Sequence, residues 1–325
     1  MLKPGTGTTK LLIGYDGSGC AHGTLSELRS SGLPMKAQVV IISVCEIWLP
    51  PINPSPNLPM EREMAEYFQK HGEQVERNLA ETNTIACDAR DELLRNFPDW
   101  SIEVEVVSGS PARQILSRAE GFLPHIIVIG ERGLSSDSET GLGSTAITVL
   151  SEAKCGVRIA RLKHQELNPR SRIIVAFDGS PGSMAAIKVV ASRSWRTKPE
   201  IRLVIITDPF TLLKPGRAFD PIPGMCEGTM EGEENWVRML AVRALQLLLD
   251  SGLPAAVHSY SGNPRMVLPR EAKTWNADAV FVGAISGTSL PKMYSLGCNA
   301  LAIANRAGCS VEVVRNPGDE IKGKL

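Results

Sequence analysis

Short segments rich in Val and Ile alternate along the chain with longer segments whose apolar residues recur every three or four positions. Residues 11–15, 38–44, 102–107 and 126–129 are of the first kind, and their β-branched content predicts strands buried on both faces of a sheet. Met64, Tyr67, Phe68, Val75, Leu79, Ala86 and Leu93 keep a helical spacing and predict one long helix. The alternation then resumes, with strands expected at 173–177, 202–206, 255–260 and 280–282 and a helix near 233–249. Ser18 and Ser180 stand where an N-cap belongs, and Pro181, Pro111 and Pro264 suit first helical positions. Strand and helix alternating in this way predict an α/β fold, a parallel, doubly wound sheet with helices on both faces.

The pattern is a duplication. Leu11-Leu-Ile-Gly-Tyr-Asp16-Gly-Ser18 returns as Ile173-Ile-Val-Ala-Phe-Asp178-Gly-Ser180. The segment from Gly109-Ser-Pro111 to Gly130 returns, at the same length, as Gly262-Asn-Pro264 to Gly283. Cys155-Gly-Val-Arg returns as Cys309-Ser-Val-Glu. Each copy is longer than a solenoid unit and has the size of a complete domain. The expected division is a domain over 1–163, a linker over 164–171 where Asn168-Pro169 and several charges interrupt the apolar pattern, and a domain over 172–325. Two Pro-rich stretches, 50–59 and 209–232, read as loops.

Composition narrows the function. With 35 basic and 35 acidic residues the formal net charge is zero, which gives no electrostatic grip on nucleic acid or an anionic membrane. No stretch approaches the length of apolar sequence that spans a bilayer, and the first ten residues carry no apolar signal region, so a cytoplasmic location is expected. The seven cysteines are scattered without a C-x-x-C pair and read as buried thiols. The five histidines form no metal-binding pair.

In a doubly wound sheet ligands collect beyond the carboxyl ends of the strands, at the point where strand order reverses. The fourth strand of the first copy ends in Gly130-Glu-Arg-Gly133, and nine residues later comes Gly143-Ser144-Thr145. The two glycines let backbone come close to a ligand. Gly143-Ser144 opens a helix over 144–154, whose free N–H groups and positive dipole end suit phosphate. Asp16 at the tip of the first strand faces the same crevice, as an acceptor for ribose or a ligand for Mg²⁺.

These residues resemble the nucleotide motif of the universal stress protein family: G-x2-G-x9-G-[S/T] after an apolar strand, with D-G-S after the first strand and Cys-x-Val in the last. The resemblance runs over nearly the whole chain, twice. It implies a stress-response module of five parallel strands that binds ATP, as a Mg²⁺ complex or alone, and domains that pair through their last strands, as a homodimer or as an internal pseudo-dimer. It also implies contacts of an adenine nucleotide with Asp16, Val44, Ile129, Gly130, Gly133, Gly143, Ser144 and Thr145, with Arg132 as the nearby cation. The chain departs from the family in carrying Asp137 and Glu139 inside the loop, and in Gly156 and Ser310 where a proline follows the cysteine, a change expected at a sheet edge. In the second copy Asp178, Ile206, Gly283, Gly287 and Gly297 hold the matching places, but Gly287 comes one residue late and Cys298 replaces the hydroxyl. Three functions fit: a nucleotide-binding regulator, a slow ATPase or self-phosphorylating enzyme, and a dimerisation scaffold without nucleotide. Neither a Walker loop nor an S-G-G-x-D-S loop is present.

Overall fold

The structure is a computed structural model, and it describes residues 8–46, 60–134, 141–161, 170–207, 230–284 and 298–315. The first half contributes β1 (Thr9–Gly14), α1 (Gly19–Glu27), a 3-10 turn (Leu28–Ser30), β2 (Ala37–Cys45), α2 (Met60–Asn96), β3 (Trp100–Ser108), α3 (Pro111–Phe122), β4 (Ile126–Gly130), α4 (Ser144–Glu152) and β5 (Gly156–Ala160). The second half repeats them as β6 (Arg172–Phe177), α5 (Pro181–Ser192), β7 (Glu200–Thr207), α6 (Met230–Asp250), β8 (Ala255–Ser261), α7 (Pro264–Thr274), β9 (Ala279–Gly283), α8 (Cys298–Arg306) and β10 (Ser310–Val314).

The strands lie in the order β3-β2-β1-β4-β5-β10-β9-β6-β7-β8. Each half is thus a five-stranded parallel sheet whose order reverses between its first and fourth strands. The two five-stranded sheets are joined into one, because β5 and β10 pair antiparallel, with Arg158 directly opposite Glu312. The last strands of the two halves therefore meet within one chain.

Alternation of side chains across the strands sends apolar residues to both faces. One face carries a single core that runs through both halves, with Ile115, Val149 and Leu150 from the first and Leu268, Trp275 and Ile303 from the second. The other face holds two separate cores. Leu25, Ala86, Leu93 and Phe97 cover the first half, and Ile187, Val190, Ala244 and Leu248 cover the second. No helix among the described residues is long and apolar enough to cross a membrane.

Gly156 and Ser310 sit at the joint in the middle of the sheet, not at its edge. Their N–H groups donate to the carbonyls of His125 and Asp278, each at 3.2 Å, bonds that a proline could not make. The Pro-rich segment 50–59, most of 209–232 and residues 164–169 of the expected linker over 164–171 lie outside the described residues.

Candidate functional site

Parallel strands put the starts of their following helices at one end of the sheet. In the first half this brings the openings of α3 and α4 together beside the end of β2, around a cleft of about 400 Å³. Its walls are Glu46, the segment Gly109 to Ala112, and Ser144, Thr145 and Thr148. The size falls in the range of small-molecule sites, about 300–1,000 Å³. Two helix N-termini point their unbonded N–H groups and positive dipole ends toward this space, and the hydroxyls of Ser110, Ser144, Thr145 and Thr148 add donors. Those features favour an anion. Glu46 is the one carboxylate among the described lining residues.

Behind the cleft the loop motif is folded on itself. The N–H of Gly143, the N-cap of α4, donates to Glu131 O at 2.8 Å, which clips the two ends of the loop together. Asp16 accepts from the N–H of Ser18 at 3.0 Å through Oδ1 and from that of Leu134 at 3.0 Å through Oδ2. Both carboxylate oxygens thus order backbone, the first in its own turn and the second at the loop. Gly133 is required by this arrangement, since a Cβ there would lie 2.7 Å from Asp16 Oδ2. A Cβ on Gly143 would instead meet Arg132 Cα at 3.5 Å and Glu131 O at 3.6 Å, so that position faces the loop rather than the cleft. Arg132 pairs with Glu131 at 3.2 Å, and Glu131 also takes Arg161 Nε at 2.5 Å. Tyr15, buried beneath Asp16, shares a 2.9 Å hydrogen bond with His22. Burial, with Glu92, Asp16 and Asp88 nearby, pushes its phenol pKa up to about 12.

Of the residues the sequence singles out, the structure gathers Asp16, Gly130, Arg132, Gly133, Gly143, Ser144 and Thr145 around the end of β4. Ser144 and Thr145 line the cleft itself. Gly130 pairs with Ala160 in the sheet, and Ile129 beside it is buried in the core. Val44 pairs with Val107 and packs against the same core, and Glu46, two residues later, reaches the cleft. Gly109, Ser110 and Thr148 were not among the predicted contacts. Ser110-Pro111 was legible only as a helix start, yet a helix start at the carboxyl end of a parallel strand is itself the signal for such a site.

The second half differs at the matching place. Its Asp178 caps its own turn, accepting from Ser180 N–H at 3.0 Å. A Cβ on Gly283 would lie 2.1 Å from the backbone of Gly182, so this glycine serves the close approach of α5 to the end of β9. Ile206 pairs with Tyr260 and packs in the core that runs through both halves. Gly287 and Gly297 lie outside the described residues, as do Asp137 and Glu139 of the first-half loop.

A sequence profile of the universal stress protein family matches residues 7–161 and again residues 169–315. The chain belongs to the universal stress protein family. A universal stress protein of Thermus aquaticus, encoded in the 3' region of a QAH/OAS sulfhydrylase, is 26% identical over 151 residues, 46% of this chain and 97% of that one. Among solved structures, a universal stress protein from Archaeoglobus fulgidus is similar over 95% of this chain and 97% of its own, with a TM-score of 0.61 at 19% identity. A protein of Pseudomonas aeruginosa described as functionally unknown matches over 98% of both chains, with a TM-score of 0.56 at 12% identity. Both cover the tandem arrangement of two universal stress protein halves.

Proposed function

We propose that this tandem universal stress protein is a stress-response regulator that binds an adenine nucleotide, in the first instance ATP, in its first half. The observation that carries the reading is the cleft at the paired openings of α3 and α4, lined by hydroxyls and helix N–H groups that match phosphate chemistry. The Gly130-x2-Gly133-x9-Gly143-Ser144 loop supports its wall, and the nucleotide lies along the end of the sheet near Val44, Ile129, Gly130, Arg132, Thr145 and Asp16. Asp16 helps by ordering the loop. Its carboxylate oxygens already accept two N–H groups, so Glu46 is the better placed ligand for a Mg²⁺ ion accompanying the phosphates. The second half retains Asp178 and a version of the motif lengthened by one residue, and its glycine at 283 is committed to packing; nucleotide binding there is weaker or lost.

The lining favours binding over turnover, because it offers donors for phosphate and a single carboxylate among the described residues to orient a water. Calorimetric titration of the full chain with ATP, ADP, AMP and adenosine, each with and without Mg²⁺, tests this. Affinity that climbs with the number of phosphates supports the reading, and uptake of none of them at millimolar concentration overturns it. Phosphate release measured on the same samples decides between a binding module and a slow ATPase.

A further inference from the structure

We propose that the second half holds the first half's phosphate loop in its binding form, with Asn305 of α8 as the positioning residue and Arg161 as the second tie. The inference rests on the nucleotide reading above and adds its regulation: what disturbs the last helix of the second half alters the site in the first.

The loop has two limbs, and each is fastened to α8 or the turn after it. On one limb, Leu142 donates its N–H to Asn305 Oδ1 at 2.9 Å, one residue before the N-cap of α4. Gly141 adopts φ +89°, and a Cβ there would stand 3.0 Å from the same Oδ1, so the chain closes on the Asn305 amide in a form that glycine alone adopts freely. On the other limb, Glu131 accepts from Arg161 Nε at 2.5 Å, while the two terminal nitrogens of Arg161 donate to Ala304 O at 2.7 Å and Cys309 O at 3.0 Å. The Gly143-to-Glu131 bond joins the limbs. A shift of α8 is therefore transmitted to both.

The pseudo-twofold relation of the halves separates what the interface needs from what is added. Arg315 mirrors Arg161, donating to Cys155 O at 3.0 Å and to Leu150 O, the matching carbonyls of the first half. That grip is common to both sides and suffices to pair the halves. The place of Glu131 is taken by Ala284 in the second half, and that of Asn305 by Ser151 in the first. The extension from grip to loop is thus built on the side whose glycine motif is complete.

The test uses the full chain in three variants, Asn305→Leu, Asn305→Asp and Asn299→Leu. The last makes the same change on the same helix at a side chain that accepts from Arg265 within the second half. In nucleotide-free protein, amide hydrogen exchange at residues 142–145 is expected to rise at least fivefold in Asn305→Leu and to stay near wild type in Asn305→Asp, which keeps the acceptor oxygen, and in Asn299→Leu. ATP affinity is expected to fall at least fivefold in Asn305→Leu and to hold in Asn299→Leu. Unchanged exchange at 142–145 in Asn305→Leu overturns the proposal, as does unchanged ATP affinity in that variant. A wild-type chain that takes up no ATP overturns the nucleotide reading, and the exchange measurement still decides whether Asn305 positions the loop.

Discussion

Asp16 and Ser144 show how separate duties are assigned to neighbouring side chains. Asp16 spends its carboxylate on two backbone N–H groups, one of them 118 residues away in sequence. Removing it in Asp16→Ala leaves both without that acceptor and is expected to cost about 1–3 kcal/mol. Gly133→Ala displaces the same carboxylate, so combining the two changes is expected to cost less than their sum, measured by urea unfolding. Ser144 instead faces the cleft from the first turn of α4. Asp at this position complements the helix dipole, and Ser144→Asp is expected to stabilise the chain by up to about 1 kcal/mol. The same charge repels phosphate, so ATP affinity is expected to fall at least tenfold; loss of stability together with affinity would mark the residue as structural only. Tyr15 gives a pH prediction. Its folded pKa of about 12 lies above the ordinary tyrosine value of 10.0, so its contribution to stability is complete below pH 10 and is lost as pH climbs toward 12. Tyrosinate absorbance of wild type minus Tyr15→Phe is expected to titrate near pH 12 while the chain stays folded, and a midpoint near 10 contradicts this.

At the scale of elements, the strands and helix openings were legible because they follow from local pattern. The apolar run at 11–15 matches β1 to within two residues, and α4 starts at Ser144 as its sequence predicts but ends at Glu152 rather than 154. Caps divide more finely than the sequence suggests. Ser18 and Ser180 accept the N–H of Ala21 and Ser183 as expected of N-caps. Ser110, in the same kind of position before Pro111, makes no such bond and lines the cleft instead. Ser180→Ala is therefore expected to cost about 1 kcal/mol and Ser110→Ala almost nothing in thermal unfolding, while Ser110→Ala alone weakens nucleotide binding. Pro269 lies inside α7. It removes the N–H that would reach Arg265 O, and Arg306 Nη1 donates to that carbonyl at 3.4 Å. What the sequence could not disclose were partners remote along the chain, such as Leu134 for Asp16 and Asn305 for Leu142, since no local period encodes them.

Across the whole molecule, the resemblance implied pairing through last strands, but the residues that decide it emerge only in three dimensions. Glu27, Arg158, Glu312 and Arg193 form a buried chain of alternating charge across the joint. Burial works against the Arg158 charge, yet Glu27 and Glu312 outweigh it and hold its pKa above the ordinary arginine value. Two copies of β5 in a symmetric pair would set Arg158 against Arg158, whereas fusion of the halves sets it against Glu312. Arg158→Met is expected to cost about 3–5 kcal/mol, because it leaves buried carboxylates uncompensated. The exchange Arg158→Glu with Glu312→Arg is expected to remain destabilised, since Glu27 and Arg193 then face like charges; full recovery would show an isolated pair instead of a chain of four. The cleft of the first half lies at the openings of α3 and α4, and the proposed function depends on what enters there. Amide resonances of the full chain, followed by NMR as ATP is added, test that most directly. The N–H signals of Ser110, Ala112, Ser144, Thr145 and Ala146 are expected to shift together and saturate at one nucleotide per first-half site. Saturating ATP that leaves these five unmoved, or moves only amides remote from the openings of α3 and α4, would contradict the account.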